Sequence, residues 1–583
     1  MDPDLEVPPL RDNADPARPP CRRRIRYTLI AALLAVLASA AAAAVQAVGV
    51  RNDLRSGRAV LSGAFSDLSN LRFAERAGAA EARFRSARAK AAGTWLRIWS
   101  SVPVLGRPAR YVRSVAEAGA GLAGRASDAA RRIEPMLQRS GGDASNRLAL
   151  LDTVERELRA LGRLLGDIEI GSPGLPFPPF ASLARDVDAG LARARSAIAD
   201  GIAGVGGLRS FLAGPTRYLV LAGNNAEMRA GGMVLQAGTM FAGDGRIVAG
   251  GFTSTASLIL PRSVSVPREL SALYGWLDPG REWRNTGTSP NFPAVAPLYA
   301  SMIEAAGRPP VQGVMQLDVV ALRYLLEVVG PVVVDGQRFD AGNVERTVLH
   351  DLYAEYGPRQ ADRRADLSRL AAATFLALEE RSWRPADLAT ALRKATAGRH
   401  LLMWSRLPDQ QAAWRRLGAD GALERDGFML TVQNHGGNKL DWFVRPSVAL
   451  TSDAAPGGAR RWTATIRIAN PVPDGEPAYV AGDGSKRPAG VYRGFVAVYL
   501  PAWASDVEVS GAAVRVVGED GPMRVVGMIV DVAQRDTVSL TVRFTMPPGP
   551  RRLTLLPSAR AVPVPFTING ERTDDRVGRI LAV

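Results

Sequence analysis

The chain has 583 residues, which is too long for one hydrophobic core and suggests roughly three or four domains. Apolar residues make up 47% and charged residues 22%, a composition that excludes a largely disordered protein. The net charge of +16 comes almost entirely from arginine, because the chain has only four lysines. This bias indicates a GC-rich coding sequence, although guanidinium groups also suit a phosphate-bearing ligand or an anionic surface.

The N-terminal region carries one apolar segment. Residues 27–50 are uncharged and, as a helix, are long enough to cross a membrane once. Four arginines within residues 22–26 precede the segment, so the positive-inside rule keeps the N-terminus in the cytoplasm and exports the chain after Arg51. The proline-rich residues 1–26 predict a disordered cytoplasmic tail. A cleaved signal peptide is the alternative, with Ala38-Ser39-Ala40 as its site, but the apolar residues continue beyond it and favour an uncleaved anchor.

Residues 51–215 have the apolar periodicity of helices and predict an extracytoplasmic stalk or bundle. One stripe runs from Leu151 to Ile168 in steps of three and four, and another runs from Val112 to Met136. Four prolines within residues 173–179 interrupt the pattern before a last helical stripe. Such stripes are typical of a packed core rather than of a binding surface.

Residues 216–425 predict a central α/β domain, because strand-like and helical patterns alternate there. Residues 233–242 and 247–253 are strand-like, whereas residues 319–329 and 399–417 are predicted helices. From residue 426 to residue 583, short alternating segments separated by proline and glycine predict a C-terminal β-sandwich. The fold class expected for the whole chain is therefore multi-domain α+β behind an N-terminal transmembrane helix.

Several common functional motifs are absent from the sequence. There is no phosphate-binding loop ending in Gly-Lys-Ser/Thr, no Gly-x-Ser-x-Gly elbow and no His-Glu-x-x-His. The three histidines, His350, His400 and His435, lie far apart without paired cysteines, so a structural zinc site is not predicted. No clustered basic and aromatic face occurs in the predicted exported part, so nucleic acid is not an expected partner.

The most site-like segment is RYLVLAGNNAEMRAGG, from Arg217 to Gly232. An apolar strand ends at Asn224 and Asn225 and is followed by Glu227, Arg229 and the pair Gly231-Gly232. Polar side chains at a strand end, next to glycines that let a ligand approach the backbone, are typical of binding loops. Arg229 is predicted either to bind a ligand phosphate or to form an ion pair with Glu227.

This segment resembles the signature of the domain of unknown function 4012 family, membrane-anchored proteins of bacterial envelopes. Further motifs carry the resemblance: SPNFP at residues 289–293, VQGVMQLDVVALRYLLEVVGPV at 311–332, HLLMWS at 400–405 and NKLDWFV at 438–444. Together these motifs extend the resemblance over about residues 95 to 505. The family implies a cell-envelope location but no particular activity.

A weaker resemblance links the order of elements to the LytR-CpsA-Psr phosphotransferases, which attach glycopolymers to the cell wall from a polyprenyl-pyrophosphate carrier. It implies a LytR-CpsA-Psr-like central domain with Glu227, Arg229 and Asp318 as catalytic residues and Mg²⁺ as a possible cofactor. Convergent arginines or a metal held by carboxylates would disperse phosphoryl charge. The residues implied to bind phosphate are Arg229, Arg262, Arg363, Arg364 and Arg369.

The sequence also departs from the phosphotransferase pattern. Asn224 and Asn225 stand where those enzymes place an acid, and Ala371-Ala372 replaces a late Arg-Gln pair. An asparagine does not compensate the charge of a divalent ion as an aspartate does. Two hypotheses stay open: binding or transfer of a polyprenyl-pyrophosphate-linked glycopolymer, and a non-catalytic scaffold or glycan-binding protein. A lipid-sized apolar groove beside Arg229 would favour the first, and a closed core the second.

Overall fold

The computed structural model describes residues 21–66, 73–102, 106–139, 141–171, 178–357, 359–549 and 552–581. Within these ranges, side chains are described from residue 35 onward, except at residues 58–66, 73 and 178–183. Most of the predicted tail, residues 1–20, lies outside the described residues. The chain divides into two compact units. Unit 1 comprises Met1–Phe65, Glu75–Ser127 and Asp167–Ala192, and unit 2 comprises Ser66–Ala74, Asp128–Gly166 and Arg193–Val583.

Helices occupy the chain before the first strand. They are α1 (Cys21–Ser66), α2 (Phe73–Ala91), α3 (Thr94–Ser100), α4 (Arg107–Leu137), α5 (Ala144–Gly166) and α6 (Pro178–Ala213). Helix α1 begins ahead of the predicted start at residue 27. Within the described residues, one stretch is long and apolar enough to span a membrane, Ala35–Gly57 of α1. A signal sequence near the N-terminus can meet the same criteria of length and hydropathy.

Unit 1 has a core of small side chains. Val50 of α1, Ala87 of α2, Leu96 of α3 and Val112 of α4 belong to one buried cluster. Alanine allows helices to approach closely, which explains why this alanine-rich sequence packs without many large apolar residues. The stripe predicted to begin at Val112 therefore contributes to a core.

Within unit 2, α5 is joined to the rest of the unit by Arg147. The guanidinium of this buried arginine donates to the carbonyls of Gly245 and Leu378 at 3.0 and 3.1 Å and to the carboxylate of Glu379 at 2.6 Å. Gly141, just before α5, lies so close to the ring of Trp383 that a β-carbon would come within 2.2 Å of it. Part of the segment predicted as a stalk is thus built into unit 2.

A five-stranded mixed sheet forms the centre of unit 2, in the order β3-β2-β1-β4-β7. Strands β1 and β4 are parallel, and β2, β3 and β7 pair antiparallel with their neighbours. The strands in this part of the chain are β1 (Thr216–Asn224), β2 (Met233–Gly243), β3 (Arg246–Ser254), β4 (Gly313–Leu317), β5 (Val332–Val334), β6 (Gln337–Phe339) and β7 (Leu401–Ser405).

The helices of this part are α7 (Arg268–Tyr274), α8 (Trp283–Thr286), α9 (Phe292–Ala305), α10 (Val319–Val329), α11 (Val344–Arg346), α12 (Leu352–Tyr356), α13 (Gln360–Glu380), α14 (Pro385–Ala397) and α15 (Pro408–Arg416). Side chains of β1 alternate between two cores: Leu219 and Leu221 enter one, and Tyr218 and Val220 enter the other. Burial on both faces explains why β1 is apolar along its length.

The helix predicted for residues 399–417 is wrong in its first part. Leu401–Ser405 forms β7, which pairs antiparallel with β4, and the helix α15 begins only at Pro408. The run LLMWS is short and apolar, and such a run does not by itself distinguish a buried strand from a buried helix. The pairing partner β4 lies far away in the sequence and decides the outcome.

Two six-stranded sheets follow, in the orders β12-β15-β10-β9-β17-β18 and β13-β14-β11-β8-β16-β19. They share one core, in which Phe428 stacks on Phe544 with ring centroids 6.3 Å apart. The short helix α16 is Ala478–Ala481. The strands are β8 (Gly427–Asn434), β9 (Arg445–Ala454), β10 (Arg460–Ala469), β11 (Tyr492–Leu500), β12 (Ser505–Ser510), β13 (Val514–Asp520), β14 (Met523–Val532), β15 (Thr537–Met546), β16 (Leu553–Leu555), β17 (Pro565–Ile568), β18 (Glu571–Asp574) and β19 (Arg579–Leu581).

Strand β11 connects these sheets to the rest of unit 2. Val496 and Val498 face the core between the two six-stranded sheets, whereas Phe495 and Tyr499 enter a second core that also contains Phe292 of α9. A strand that is buried on both faces cannot be separated from either side without exposing apolar surface. Residues from both sides of position 425 therefore meet in one continuous interior. The chain as described is of mixed α and β class with several sheets.

Candidate functional site

The loop after β1 is held by its own asparagines. The Oδ1 atom of Asn224 accepts from the backbone N–H of Ala226 at 2.8 Å, and Asn225 Nδ2 donates to the carbonyl of Ala559 at 2.9 Å. Gly232 has a φ of +82°, which favours glycine, and a β-carbon there would come within 3.0 Å of the backbone nitrogen of Asn224. Asn224, Asn225 and Gly232 therefore fix the shape of the loop.

Glu227 projects from this loop and forms a buried ion pair. Its Oε2 atom lies 3.0 Å from Lys439 Nζ, and the two side chains are 11% and 7% exposed. Its Oε1 atom accepts a long hydrogen bond of 3.3 Å from the hydroxyl of Tyr353. Lys439 follows β8, so this pair joins the loop after β1 to a segment more than two hundred residues away in the chain.

Arg229 makes its hydrogen bonds to neutral groups. Its Nε and Nη2 atoms donate to Asn285 Oδ1 at 3.2 and 2.7 Å, and its Nη1 atom donates to the carbonyls of Met228 and Asn434. Burial lowers the pKa of the guanidinium from its usual value. Among the described side chains, the partner of Glu227 is Lys439, so the predicted ion pair of Glu227 with Arg229 is wrong as a direct contact.

Arg363 has the least satisfied charge in this region. Its side chain is buried at 2% exposure, its Cζ atom lies 3.9 Å from the ring centroid of Tyr353, and its Nε atom donates to Gln360 Oε1 at 2.7 Å. Its Nη1 atom is buried and has no hydrogen-bond partner within the described ranges. A buried cationic N–H group without a partner is costly, and a bound anion would satisfy it.

These side chains line one cavity of about 440 Å³. Its volume falls within the range of about 300 to 1,000 Å³ that is usual for small-molecule sites. The cationic side chains on its wall outnumber the carboxylates Glu227 and Glu282. The cations are Arg229, Arg284, Arg363, Arg364 and Lys439. The cavity is thus polar with a positive balance, as an anionic ligand requires.

Other groups on the wall adjust its charge. Arg284 donates to both oxygens of Glu282 at 2.8 and 2.6 Å, and this hydrogen bonding lowers the pKa of Glu282 from its usual value. Burial and the nearby Arg229 lower the pKa of His435, so its imidazole is held in the neutral form. The ring of Tyr479 lies with its centroid 4.9 Å from Lys439 Nζ. The cavity therefore contains cations, carboxylates, amides and an aromatic surface together.

Asp318 lies outside this wall and is committed to the fold. It is the N-cap of α10, where its Oδ1 atom accepts from the N–H groups of Val320 and Ala321, both at 3.0 Å. Its Oδ2 atom lies 2.7 Å from Nδ1 of His400 and 2.8 Å from Nδ2 of Asn225. Both oxygens of this predicted catalytic carboxylate thus have protein partners.

The predicted carboxylates do not fit a magnesium ion. Magnesium requires oxygen ligands in nearly octahedral geometry, whereas Glu227 pairs with Lys439 and Asp318 bonds to four N–H or ring groups. In the part of the chain that the structure describes, no group of three or more His, Cys, Asp or Glu side chains could hold a metal ion.

The structure brings together only some of the predicted site residues. Glu227, Arg229, Arg363 and Arg364 line the cavity. Arg262 is exposed on the segment between β3 and α7. Arg369 is also exposed and pairs with Asp335 at 2.7 Å and with Asp366. Gly231 packs against Gln316, where a β-carbon would come within 2.5 Å of the amide nitrogen.

Sequence analysis missed the wall residues that come from elsewhere in the chain. Lys439, Arg284, Asn285 and Tyr479 were not identified as candidates. Lys439 offered one signal, since it is one of only four lysines in an arginine-rich chain and lies in the NKLDWFV motif. No pattern in the sequence distinguishes Arg284 from the many other arginines.

A second, apolar cleft lies between the sheet and helices α10 and α13. Leu322, Leu325, Leu367 and Phe375 line it, and Leu235 lines both this cleft and the polar cavity. The cleft has a volume of only about 80 Å³, far below the usual range for ligand pockets. Among the described residues, this cleft beside the polar cavity is therefore too small to be the lipid-sized apolar groove that would favour a carrier-lipid site.

Comparison with known proteins identifies a family but no activity. No curated protein and no solved structure matches the chain. Residues 213–353 match a family described as protein of unknown function (DUF4012). The matched range includes β1, the loop with Glu227 and Arg229, and the segment with Glu282 and Arg284, whereas Arg363 and Lys439 follow it. This match confirms, over residues 213–353, the resemblance to the DUF4012 family that the sequence motifs indicate.

Proposed function

We propose that this chain is a membrane-anchored envelope protein whose exported part binds the pyrophosphate of a polyprenyl-pyrophosphate-linked glycopolymer. The observation that carries the proposal is Arg363, which lines the 440 Å³ cavity and whose buried Nη1 atom has no hydrogen-bond partner among the described residues. Arginine binds phosphate oxygens through its planar fork, and the bond is strong where water is excluded. A phosphate group at this position would supply the missing acceptor.

The neighbouring charges support a doubly charged anion. Lys439 and Arg363 both lie over the ring of Tyr353, at 5.5 and 3.9 Å from its centroid. Arg364 is the next residue on α13 and lines the same wall. Several cations that converge on one end of a cavity bind two linked phosphates better than a single one.

The location is inferred from the N-terminal helix. Ala35–Gly57 is apolar enough to span a membrane, and the arginines that precede the segment favour an uncleaved anchor with its N-terminus in the cytoplasm. We interpret α2 to α6 as the predicted helical stalk or bundle, the five-stranded sheet with its helices as the LytR-CpsA-Psr-like domain, and the two six-stranded sheets as the β-sandwich. The mixed strand order and the shared core of the two sheets support this interpretation.

Binding of the pyrophosphate group is favoured over its transfer with the help of a metal held by Glu227 and Asp318. Glu227 and Asp318 are engaged by Lys439, His400 and Asn225, so neither carboxylate is free to hold a metal. Electrostatic stabilisation of a phosphoryl group requires only convergent cations, which the cavity has. A non-catalytic scaffold is the second candidate, because Asn224, Asn225 and Arg229 bond mainly to the protein itself.

The test is calorimetric titration of the full-length protein in detergent with inorganic pyrophosphate. We expect Arg363→Gln to weaken binding by at least about tenfold, ~1.4 kcal/mol, because it removes the unpartnered donor. Arg384→Gln is the control, since Arg384 is an exposed arginine that pairs with Asp387 at the start of α14. Its affinity should stay within about twofold of wild type.

Two results would overturn the proposal. The first is a wild-type protein that does not bind pyrophosphate, which would leave the scaffold as the better function. The second is an Arg363→Gln protein that keeps the wild-type melting temperature and the wild-type affinity. A geranyl pyrophosphate titration in parallel measures whether an isoprenoid chain adds to the affinity of the head group.

A further inference from the structure

The charges at the end of the cavity next to Tyr353 have opposite signs. Tyr353 contacts all three charged groups there: its hydroxyl lies 3.3 Å from Glu227 Oε1, and its ring centroid lies 3.9 Å from Arg363 Cζ and 5.5 Å from Lys439 Nζ. A carboxylate beside the cations would repel a simple anion bound there, and the exclusion of water would strengthen this repulsion. Glu227 therefore requires an explanation from the ligand.

Its carboxylate has capacity to accept further hydrogen bonds. An ionised carboxylate offers about four lone-pair sites. Within the described residues, Glu227 uses one for Lys439 and one, at a long distance, for Tyr353. A ligand that fits this end must present an anionic group to Arg363 and Lys439 and a hydrogen-bond donor to Glu227. A sugar hydroxyl close to a phosphate ester meets both conditions.

The rest of the cavity wall suits a sugar better than a lipid chain. Thr255, Asn285 and Asn434 make the wall polar, although their side chains also bond to the protein, and Tyr479 supplies a half-buried aromatic ring. The apolar cleft, at about 80 Å³, is too small to enclose an isoprenoid chain, whereas the polar cavity has room for a sugar with its phosphates. The group enclosed next to the phosphate is therefore polar.

We propose that the ligand is a glycosyl phosphate and that Glu227 selects it, accepting a sugar hydroxyl while phosphate oxygens bind Arg363 and Lys439. This inference rests on the proposed function and assigns the sugar attached to the phosphate, rather than the lipid, as the group that the protein recognises. Glu227 is then a specificity-determining residue. It disfavours bare phosphate and is compensated when a hydroxyl donates to it.

The experiment compares α-glucose 1-phosphate with inorganic phosphate by calorimetric titration of the full-length protein in detergent. Wild type should bind the sugar phosphate at least about tenfold more tightly. Glu227→Gln should reduce this preference to within about twofold, because an amide repels phosphate less and accepts a hydroxyl less strongly. The control is Glu345→Gln, since Glu345 also pairs with an arginine, Arg323 at 2.6 Å, outside the cavity. It should keep the wild-type preference.

A second variant guards against loss of folding. Glu227→Asp retains the charge that Lys439 needs but withdraws the carboxylate by one methylene, so it should weaken the sugar phosphate and leave inorganic phosphate nearly unchanged. An unchanged preference in a folded Glu227→Gln or Glu227→Asp protein overturns the inference. So does tighter binding of ethanolamine phosphate, whose ammonium is the other donor that a carboxylate would accept.

The failure of this inference is distinguishable from failure of the proposed function. If wild type binds pyrophosphate and loses that binding on Arg363→Gln, but shows no preference for the sugar phosphate, only the role of Glu227 fails. If wild type binds neither pyrophosphate, inorganic phosphate nor sugar phosphate, both fail together.

Discussion

Two clusters of buried polar residues lie in unit 2, and they differ in how well their groups are satisfied. Around Asp318, every carboxylate oxygen has two partners: the N–H groups of α10, the ring of His400 and the amide of Asn225. Around Arg363, a buried guanidinium nitrogen has no partner in the described part of the chain, although a cavity lies beside it. The carboxylate of Asp318 is fully paired without a ligand, whereas the guanidinium of Arg363 is not.

The comparison shows that burial of charge does not by itself indicate a binding site. A satisfied buried network stabilises one fold, whereas an unsatisfied group on a cavity wall lowers stability until a ligand arrives. Sequence analysis treats Asp318 and Arg363 alike, since both have the residue type expected at a phosphotransferase site. Mutations should separate them, because loss of Asp318 should affect folding and loss of Arg363 should affect binding.

The largest effect is expected for Asp318→Ala. This change removes a helix cap, leaves the buried ring of His400 without its partner and takes one of two hydrogen bonds from the amide of Asn225, so unfolding should become easier by about 3 kcal/mol. The control is Asp340→Ala, since Asp340 also accepts from two backbone N–H groups, at 2.9 and 3.2 Å, but is only partly buried. It should lose much less stability than Asp318→Ala.

Chemical denaturation of both variants measures the difference. Equal losses of stability in the two proteins would contradict the view that the buried contacts of Asp318 with α10, His400 and Asn225 stabilise the fold. Loss of pyrophosphate binding in an Asp318→Ala protein that remains folded would place Asp318 in the ligand site after all.

A smaller loss of stability is expected for Arg229→Lys. An ammonium group cannot reproduce the bonds that Arg229 makes to Asn285 and to the carbonyl of Asn434, so the variant should lose about 2 kcal/mol of stability. Pyrophosphate affinity should fall only as far as folding does. Arg284→Lys is the comparison, because Arg284 lies at the half-exposed rim and pairs with Glu282. Its stability should change by less than about 0.5 kcal/mol.

Thermal unfolding and titration of the two lysine variants decide the role of Arg229. The phosphate-binding role that the sequence suggests for Arg229 would instead appear as a clear loss of pyrophosphate binding with an unchanged melting temperature. That outcome would mean that Arg229, whose hydrogen bonds are made within the protein, also binds the ligand.

Local patterns in the sequence identify much of the secondary structure. The helix predicted at residues 319–329 is α10, and the strand predicted at residues 233–242 is β2 with one further residue. Apolar periodicity over ten or more residues reflects which face is buried, so such an element can be recognised without knowledge of the fold. The strand β7 was missed because its five residues carry no period of their own.

The site is less accessible to sequence analysis than the fold. The segment with Glu227 and Arg229, which the sequence predicts to be a binding loop, does line a cavity, and polar residues at a strand end are a local signal. The partner of Glu227 was not identified, since Lys439 reaches it only through pairing of distant strands. The surface arginines Arg262 and Arg369 were included because the order of elements gives no information on which face of a helix or loop an arginine occupies.

The smallest effect is a pH dependence at Asp520, a buried carboxylate that has neutral partners. Its Oδ2 atom accepts from Ser289 Oγ at 2.7 Å and from the hydroxyl of Tyr499 at 3.2 Å, and burial raises its pKa above the usual value. The ionised form is thus disfavoured in the folded state. Below the unfolded-state pKa of 3.8 the carboxyl is protonated in both states, and the stability of the protein is not reduced. The stability falls as the pH rises through the higher folded-state pKa.

Asp520→Asn should remove this dependence. The asparagine keeps an oxygen acceptor for Ser289 but has no charge, so the melting temperature of the variant relative to wild type should increase as the pH rises from about 4 to about 7. Glu519→Gln is the control, because Glu519 is exposed on the same strand, β13, and should show no such trend. A relative melting temperature that falls with rising pH would mean that the charge of Asp520 is stabilised in the folded state. Asp520 would then belong with Asp318, among the carboxylates whose charge the fold satisfies.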